Sequence, residues 1–159
     1  MASMVPGKKS SATKTNKPIS MQLRTFSFPD DYSSVLSLWK GAGAGIHVRR
    51  SDEADEISKK ILRDPDLFIV AEANGKIIGS VLGGFDGRRG MMYHLAVEQA
   101  YRHNGIGNAL MQALEERLRE KGCIRYYLLV TRDNDEAIDF YEARGWQLLD
   151  LFVYGKDLD

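Results

Sequence analysis

The sequence predicts a single α/β domain with a mixed central sheet, and three observations carry that prediction. At 159 residues the chain has room for one hydrophobic core and not for two. Three β-rich runs, Leu67 to Ala73, Lys76 to Phe85 and Met91 to Val97, are separated by Asn74-Gly75 and by the turn 86–90, which predicts an antiparallel meander. After Gly107 the apolar period becomes helical, with Ile106, Leu110, Ala113, Leu114 and Leu118 recurring at three- and four-residue spacing.

The remaining elements follow in order. Met21 to Phe26 alternates apolar and polar residues, the period of a half-buried strand. Pro29, Asp30 and Asp31 start a helix by placing proline and acids at its first turn, and Val35, Leu36, Leu38 and Trp39 form its apolar face. The glycine-rich stretch 41–45 ends it. A second amphipathic helix after Ser51 presents Ile57, Ile61 and Leu62 and stops at Asp64-Pro65. Lys121-Gly122 closes the long helix with a cation and a C′ glycine. Tyr126 to Val130 is a further strand, Asn134 to Arg144 a short helix ended by Gly145, and Trp146 to Tyr154 a closing strand. The predicted order is β-α-α-β-β-β-α-β-α-β. Residues 1–20, rich in Ser, Thr and Lys without an apolar period, read as a disordered basic tail, native or appended, and 21–159 as the folded domain.

Composition excludes several function classes. With 43% hydrophobic and 28% charged residues the chain resembles an ordinary soluble protein. Its formal net charge of +0 conceals an asymmetry: without Lys8, Lys9, Lys14 and Lys17 of the tail, 18 basic residues face 22 acids. A mildly acidic domain lacks the basic patch of a nucleic-acid binder. No apolar run approaches the ~20 residues of a membrane span. One cysteine allows no intrachain disulfide, which fits a reducing, cytoplasmic setting. No His, Cys and carboxylate spacing suggests a metal site.

The run Arg102-His103-Asn104-Gly105-Ile106-Gly107 lies between a strand and the long helix. Glycine there permits a tight turn with several N–H groups aimed at one oxyanion, and the helix dipole adds roughly half a positive charge. Arg102 and His103 are placed to add charge-assisted contacts, so a pyrophosphate suits the concavity. A Walker loop would continue Gly-Lys-Ser/Thr, whereas Asn108 follows Gly107; the spacing also departs from the dinucleotide fingerprint. The glycine-rich 41–45 stretch follows a helix rather than a strand and is a weak phosphate candidate. A plain strand-to-helix turn stays open as the alternative reading of 102–107.

These residues resemble the GNAT superfamily of acyl-CoA N-acyltransferases, whose signature Q/R-x-x-G-x-G/A is satisfied by Arg102 to Gly107. Upstream, Tyr93-His94-Leu95-Ala96-Val97 is similar to the family's fourth strand. Downstream, Asn134 to Trp146 resembles its N-x-x-A-x-x-x-Y-x-x-x-G-F ending, with Ala137 and Tyr141 in place and Trp for Phe. The runs at 83–90 and 133–135 look most like small bacterial YpeA-type acetyltransferases. The resemblance implies a GNAT fold, a mixed and mostly antiparallel sheet flanked by helices, with acetyl-CoA as co-substrate. It implies that the backbone at Leu95 and Val97 pairs with the pantetheine arm, and that Arg102, His103, Asn104, Gly105, Ile106, Gly107 and Asn108 surround the pyrophosphate. It further implies that Asn134 and Ala137 meet the pantetheine, and that Tyr141 hydrogen-bonds the departing sulfur. A tyrosine of pKa ~10 protonating a thiolate whose acid has pKa ~8.5 would be uphill by about 2 kcal/mol, which favours hydrogen bonding over full proton transfer.

The general base is less defined. His94 is the titratable candidate, with Glu98 and Tyr93 behind it; strand alternation puts His94 on the face opposite Tyr93 and Leu95. His47, Arg49 and Arg50 mark a loop suited to an acceptor bearing a carboxylate or phosphate, against the alternative of a solvated basic loop. Two classes remain open: an N-acetyltransferase passing acetyl to a small-molecule or peptide amine, and a non-catalytic acyl-CoA-binding module. The expected protein is a monomer or homodimer without nucleic-acid or membrane partners.

Overall fold

In the computed structural model, residues 18–43 and 45–158 are described. The tail expected over 1–20 therefore lies mostly outside the described residues, although Ile19 already packs against the core. The elements are β1 (Gln22–Thr25), α1 (Tyr32–Lys40), a 3-10 turn (Arg50–Asp52), α2 (Ala54–Arg63), β2 (Phe68–Ala73), β3 (Lys76–Phe85), β4 (Gly90–Val97), a second 3-10 turn (Gln99–Tyr101), α3 (Ile106–Glu120), β5 (Tyr126–Leu128) and α4 (Asp135–Glu142). The strands lie in the order β1-β2-β3-β4-β5, antiparallel throughout except for the parallel β4–β5 pair. The predicted meander forms, and its Asn74-Gly75 turn has both residues at positive φ, 51° and 74°.

Each sheet face carries its own apolar cluster. Ile69, Ala71, Val81 and Met92 pack with Ile106, Leu110, Leu114 and Leu118 of α3. Phe68, Val70, Leu82 and Ala96 pack on the other face with Val35 and Trp39 of α1 and Ile57 of α2. Burial of each such Leu, Ile or Val contributes about 1.5–3 kcal/mol. Trp39 brings a polar atom into this core and satisfies it, its Nε1 donating to Ser80 Oγ at 3.0 Å. The C-terminus of α3 is a Schellman motif, in which Cys123 N donates to Leu118 O and Gly122 N to Arg119 O.

Two expectations about this architecture need correcting. Leu62 was expected on the buried face of α2 but is 83% exposed, since five residues beyond Ile57 a helix has turned well away from the core. The expected closing strand over 146–154 is irregular. Trp146 still packs on Tyr126 and Tyr141, at 4.6 and 5.6 Å between ring centroids, but Leu148, Phe152 and Tyr154 are exposed. β-propensity reports packing on a half-buried, paired surface, and this segment has no ladder partner. No helix among the described residues is long and apolar enough to cross a membrane.

Candidate active site

The site begins where two neighbouring strands part. β5 pairs with β4 only over Gly90↔Tyr126, Met91↔Tyr127 and Met92↔Leu128, while β4 continues to Val97. At the same point β4 carries one extra residue relative to β3: the pairs Val81↔Leu95 and Gly83↔Met92 enclose two β4 residues, Tyr93 and His94, against one on β3. Such a bulge bends a strand and breaks its ladder. Beyond it the β5-facing edge of β4 has no strand to pair with among the described residues, and a cavity of about 620 Å³ occupies the opening.

The bulge also overturns the expected alternation. Met92 and Leu95 both belong to the α3 side. Tyr93 and His94, between them, both lie toward α1 and α2. The Tyr93 ring borders Gly84, which Lys60 Nζ also approaches, and His94 packs edge-on against Trp39 at 4.7 Å. Period-two counting fails here because two residues occupy one step of the pleat.

Leu95, Val97, Arg102 and His103 line the cavity, as do Gly105, Ile106, Gly107 and Asn108 at the start of α3. From α4 come Asn134, Ala137 and Tyr141. Of the residues expected at the site, Asn104 and His94 are not on the cavity wall. Asn104 turns its amide back onto Tyr101 O and Arg102 O, holding the turn instead of a ligand.

Gly105 is the N-cap of α3 at φ 78°, a left-handed conformation that favours glycine, and no side chain caps the helix. The first N–H groups of an α-helix have no intrahelical acceptor, so those of α3 form an uncapped, positively polarised cradle on the cavity wall. That arrangement fits a pyrophosphate. Arg102 does less there than expected. Its Nε donates to Val97 O at 3.2 Å and its Nη2 to Ala42 O at 2.8 Å, which ties the end of β4 to the loop after α1.

Asn134 combines two functions. Its Oδ1 accepts from Ala137 N at 3.2 Å, capping α4. Its Nδ2 faces the loop after α1, where a Cβ on residue 45 would stand 2.6 Å away, so Gly45 allows this close approach. Ala42, Gly43, Gly45 and Ile46 thereby become cavity wall, whereas His47, Arg49 and Arg50 of the same loop do not. The Tyr141 phenol is pushed up to about 12 by burial. Burial, with Asp64 adding, also raises the Tyr93 phenol.

Sequence reading missed Phe140 and Arg144, both on the wall. The Arg144 guanidinium lies 3.6 Å from the Phe140 ring centroid and its Nε donates to Asn108 Oδ1 at 3.1 Å, so a fixed cation stands beside the cradle. A basic residue just before Gly145 was the only available signal. Among the described residues no group of three or more His, Cys, Asp or Glu side chains could hold a metal ion.

Comparison with known proteins agrees with this geometry. The model of the acetyltransferase (GNAT) family matches residues 32–146. An acetyltransferase of Pectobacterium atrosepticum is 41% identical over 138 residues, 87% of this chain and 96% of that protein. Among solved structures, Ard1 of Thermoplasma volcanium superposes with a TM-score of 0.72 at 27% identity, covering 82% of this chain and 85% of that one. The PaiA N-acetyltransferase of Thermoplasma acidophilum, solved with coenzyme A, shares the fold with a TM-score of 0.73 at 22% identity, covering 84% and 94%.

Proposed function

This chain belongs to the acetyltransferase (GNAT) family and is an acetyl-CoA-dependent acetyltransferase; from that premise we propose that it passes acetyl directly to the primary amine of a small-molecule or peptide acceptor. The observation that carries this reading is the β4–β5 opening, with a helix-start cradle at one end, Tyr93 and Tyr141 on its wall, and His94 next to Tyr93 in the bulge but off the wall. The uncapped start of α3 and Arg144 hold the pyrophosphate. The edge of β4 at Leu95 and Val97, where among the described residues only Arg102 Nε meets Val97 O, aligns the pantetheine arm with Asn134 Nδ2 opposite.

Direct transfer is supported by the wall itself, which contains no cysteine or serine among the described residues. Cys123 instead donates to Arg125 O at 3.2 Å. The donor enters from the cradle, so the acceptor reaches the thioester from the bulge. Of the three candidate bases, Glu98 is paired with Lys76 at 2.7 Å at the far end of β4. The raised Tyr93 phenol is unsuited to accepting a proton near neutrality. His94 remains, with 19% of its side-chain surface open to solvent.

In the proposed reaction His94 takes a proton from the acceptor ammonium. The freed nitrogen lone pair attacks the thioester carbon. As the tetrahedral adduct collapses the carbon–sulfur bond breaks, the nitrogen loses its second proton to solvent to leave the neutral amide, and CoA leaves as a thiolate to which Tyr141 donates a hydrogen bond. With its phenol at about 12, full proton transfer to a thiolate whose acid has pKa ~8.5 would be uphill by about 5 kcal/mol. Tyr141 therefore keeps its proton. A hydrogen bond to a charged group is worth about 1.5–3 kcal/mol, so Tyr141→Phe lowers kcat at least about tenfold and leaves the acetyl-CoA KM unchanged. A free-thiol assay across a panel of primary amines tests both statements. Release that no amine raises above background overturns amine transfer, and equal kcat in both proteins removes the Tyr141 role.

A further inference from the structure

We propose that Asp52 is a positioning residue for this reaction: it fixes the tautomer and orientation of His94 so that Nδ1 carries the lone pair that accepts the acceptor's proton. The inference rests on the reading of His94 as general base and adds a residue from a different part of the fold.

Asp52 closes the first 3-10 turn and is 4% exposed, one of few acids buried among the described residues. Its Oδ1 lies 2.9 Å from His94 Nε2, across 42 residues of sequence. Its Oδ2 accepts from Arg49 N at 2.9 Å, and its backbone carbonyl accepts from Tyr32 Oη at 2.9 Å. The carboxylate is thus anchored on both sides of the imidazole contact. An ionised carboxylate only accepts hydrogen bonds, so Nε2 must be the protonated nitrogen and Nδ1 the basic one. The edge-on Trp39 ring, itself fixed by Ser80 and 1% exposed, restricts the remaining rotation of the imidazole.

When His94 takes a proton at Nδ1, the imidazolium charge develops beside the Asp52 carboxylate. The proton stays on His94 until it passes to solvent, so no net proton moves to Asp52. A carboxylate in this position contributes by holding the correct tautomer and stabilising the transient cation. The bulge brings Tyr93 to the same side: with regular alternation, Tyr93 and His94 would occupy opposite faces.

Asp52→Asn separates position from bulk. Its amide keeps one oxygen for Arg49 N but presents N–H to the imidazole, which moves the lone pair to Nε2 and the proton to Nδ1. In the full-length protein, nitrogen-15 spectra of the histidine rings should show His94 as the Nε2–H tautomer in the wild type and as Nδ1–H in Asp52→Asn. The chain has three histidines, and His94→Gln assigns the signal. General-base catalysis is worth about 10²–10⁴-fold, so kcat should fall about a hundredfold in both Asp52→Asn and His94→Gln, with acetyl-CoA KM unchanged. The double variant should fall no further than His94→Gln. An Nδ1–H tautomer in the wild type overturns the positioning role, as does wild-type kcat in Asp52→Asn alongside an impaired His94→Gln. Wild-type kcat in His94→Gln removes the base and this inference together while leaving acetyl transfer intact.

Discussion

The two ends of β4 are built in different ways. At the Val97 end the cradle is backbone: a left-handed Gly105, the uncapped amides of α3 and an adjoining turn, all within a dozen residues of sequence. At the bulge end the groups are side chains gathered from far apart. His94 meets Asp52 and Trp39, and Tyr93 and Lys60 both approach Gly84, while Lys60 is itself paired with Asp64. The helix-start cradle therefore depends on local chain conformation, with Arg144 added from just after α4, and the bulge end on long-range packing. Donor binding and acceptor chemistry should accordingly respond to different mutations.

The strongest test of that separation, after the Asp52 and His94 variants, is Gly105→Val. A non-glycine residue in the left-handed region costs roughly 1–2 kcal/mol, which at this helix start should weaken acetyl-CoA affinity about tenfold in a calorimetric titration. The kcat at saturating donor should change little. A fall in kcat at unchanged affinity would break the division between the ends.

Asn134 allows a finer separation, because one atom caps α4 and the other faces the cleft. Asn134→Ala should lose about 1 kcal/mol of cap, or about 2–4 °C in Tm for a domain of this size, and should raise the acetyl-CoA KM. Asn134→Asp retains the capping oxygen and loses only Nδ2, so KM should rise with Tm nearly unchanged. If both variants lower Tm alike, the amide serves only the helix.

The smallest effect should come from a site at neither end. Arg24 hydrogen-bonds Asp31 and Glu72, and its guanidinium holds the Asp31 carboxyl below its ordinary value. A carboxyl lowered on folding stabilises the protein fully above its unfolded pKa of ~3.9, and that contribution is lost as pH falls through the lower folded value. Arg24→Met should therefore reduce Tm at pH 7 and flatten its decline in acid, with kcat and both KM values unchanged. A kinetic change would show that the β1 edge communicates with the cleft.

Legibility in the sequence follows the same line. The meander, the long helix and its Schellman ending were readable because turn chemistry and helical period are local. So was the Arg102–Gly107 run as a glycine-bearing helix start, although two of its side chains hold the local backbone: Asn104 bonds the backbone behind it and Arg102 ties Val97 to Ala42. The face of Tyr93 relative to His94 was misread because no residue in 91–97 announces a bulge. Asp52 looked like one acid in a charged stretch, and Gly45 like the end of a helix. Their uses arise from contacts at separations of 42 and 89 residues.

By itself, then, the sequence determined the α/β layering and the order of elements through α4, since periodicity and turn residues act through neighbouring peptide units, while the acetyl donor was implied by the resemblance of its motifs to the GNAT superfamily. Tertiary structure alone decided where β4 and β5 part, that Tyr93 shares the face of His94, which carboxylate meets His94, and that the last apolar run stays outside the sheet. The physical reason is that a strand's edge and a side chain's partner are properties of what packs beside them, and a bulge in one strand is defined only against the register of the next.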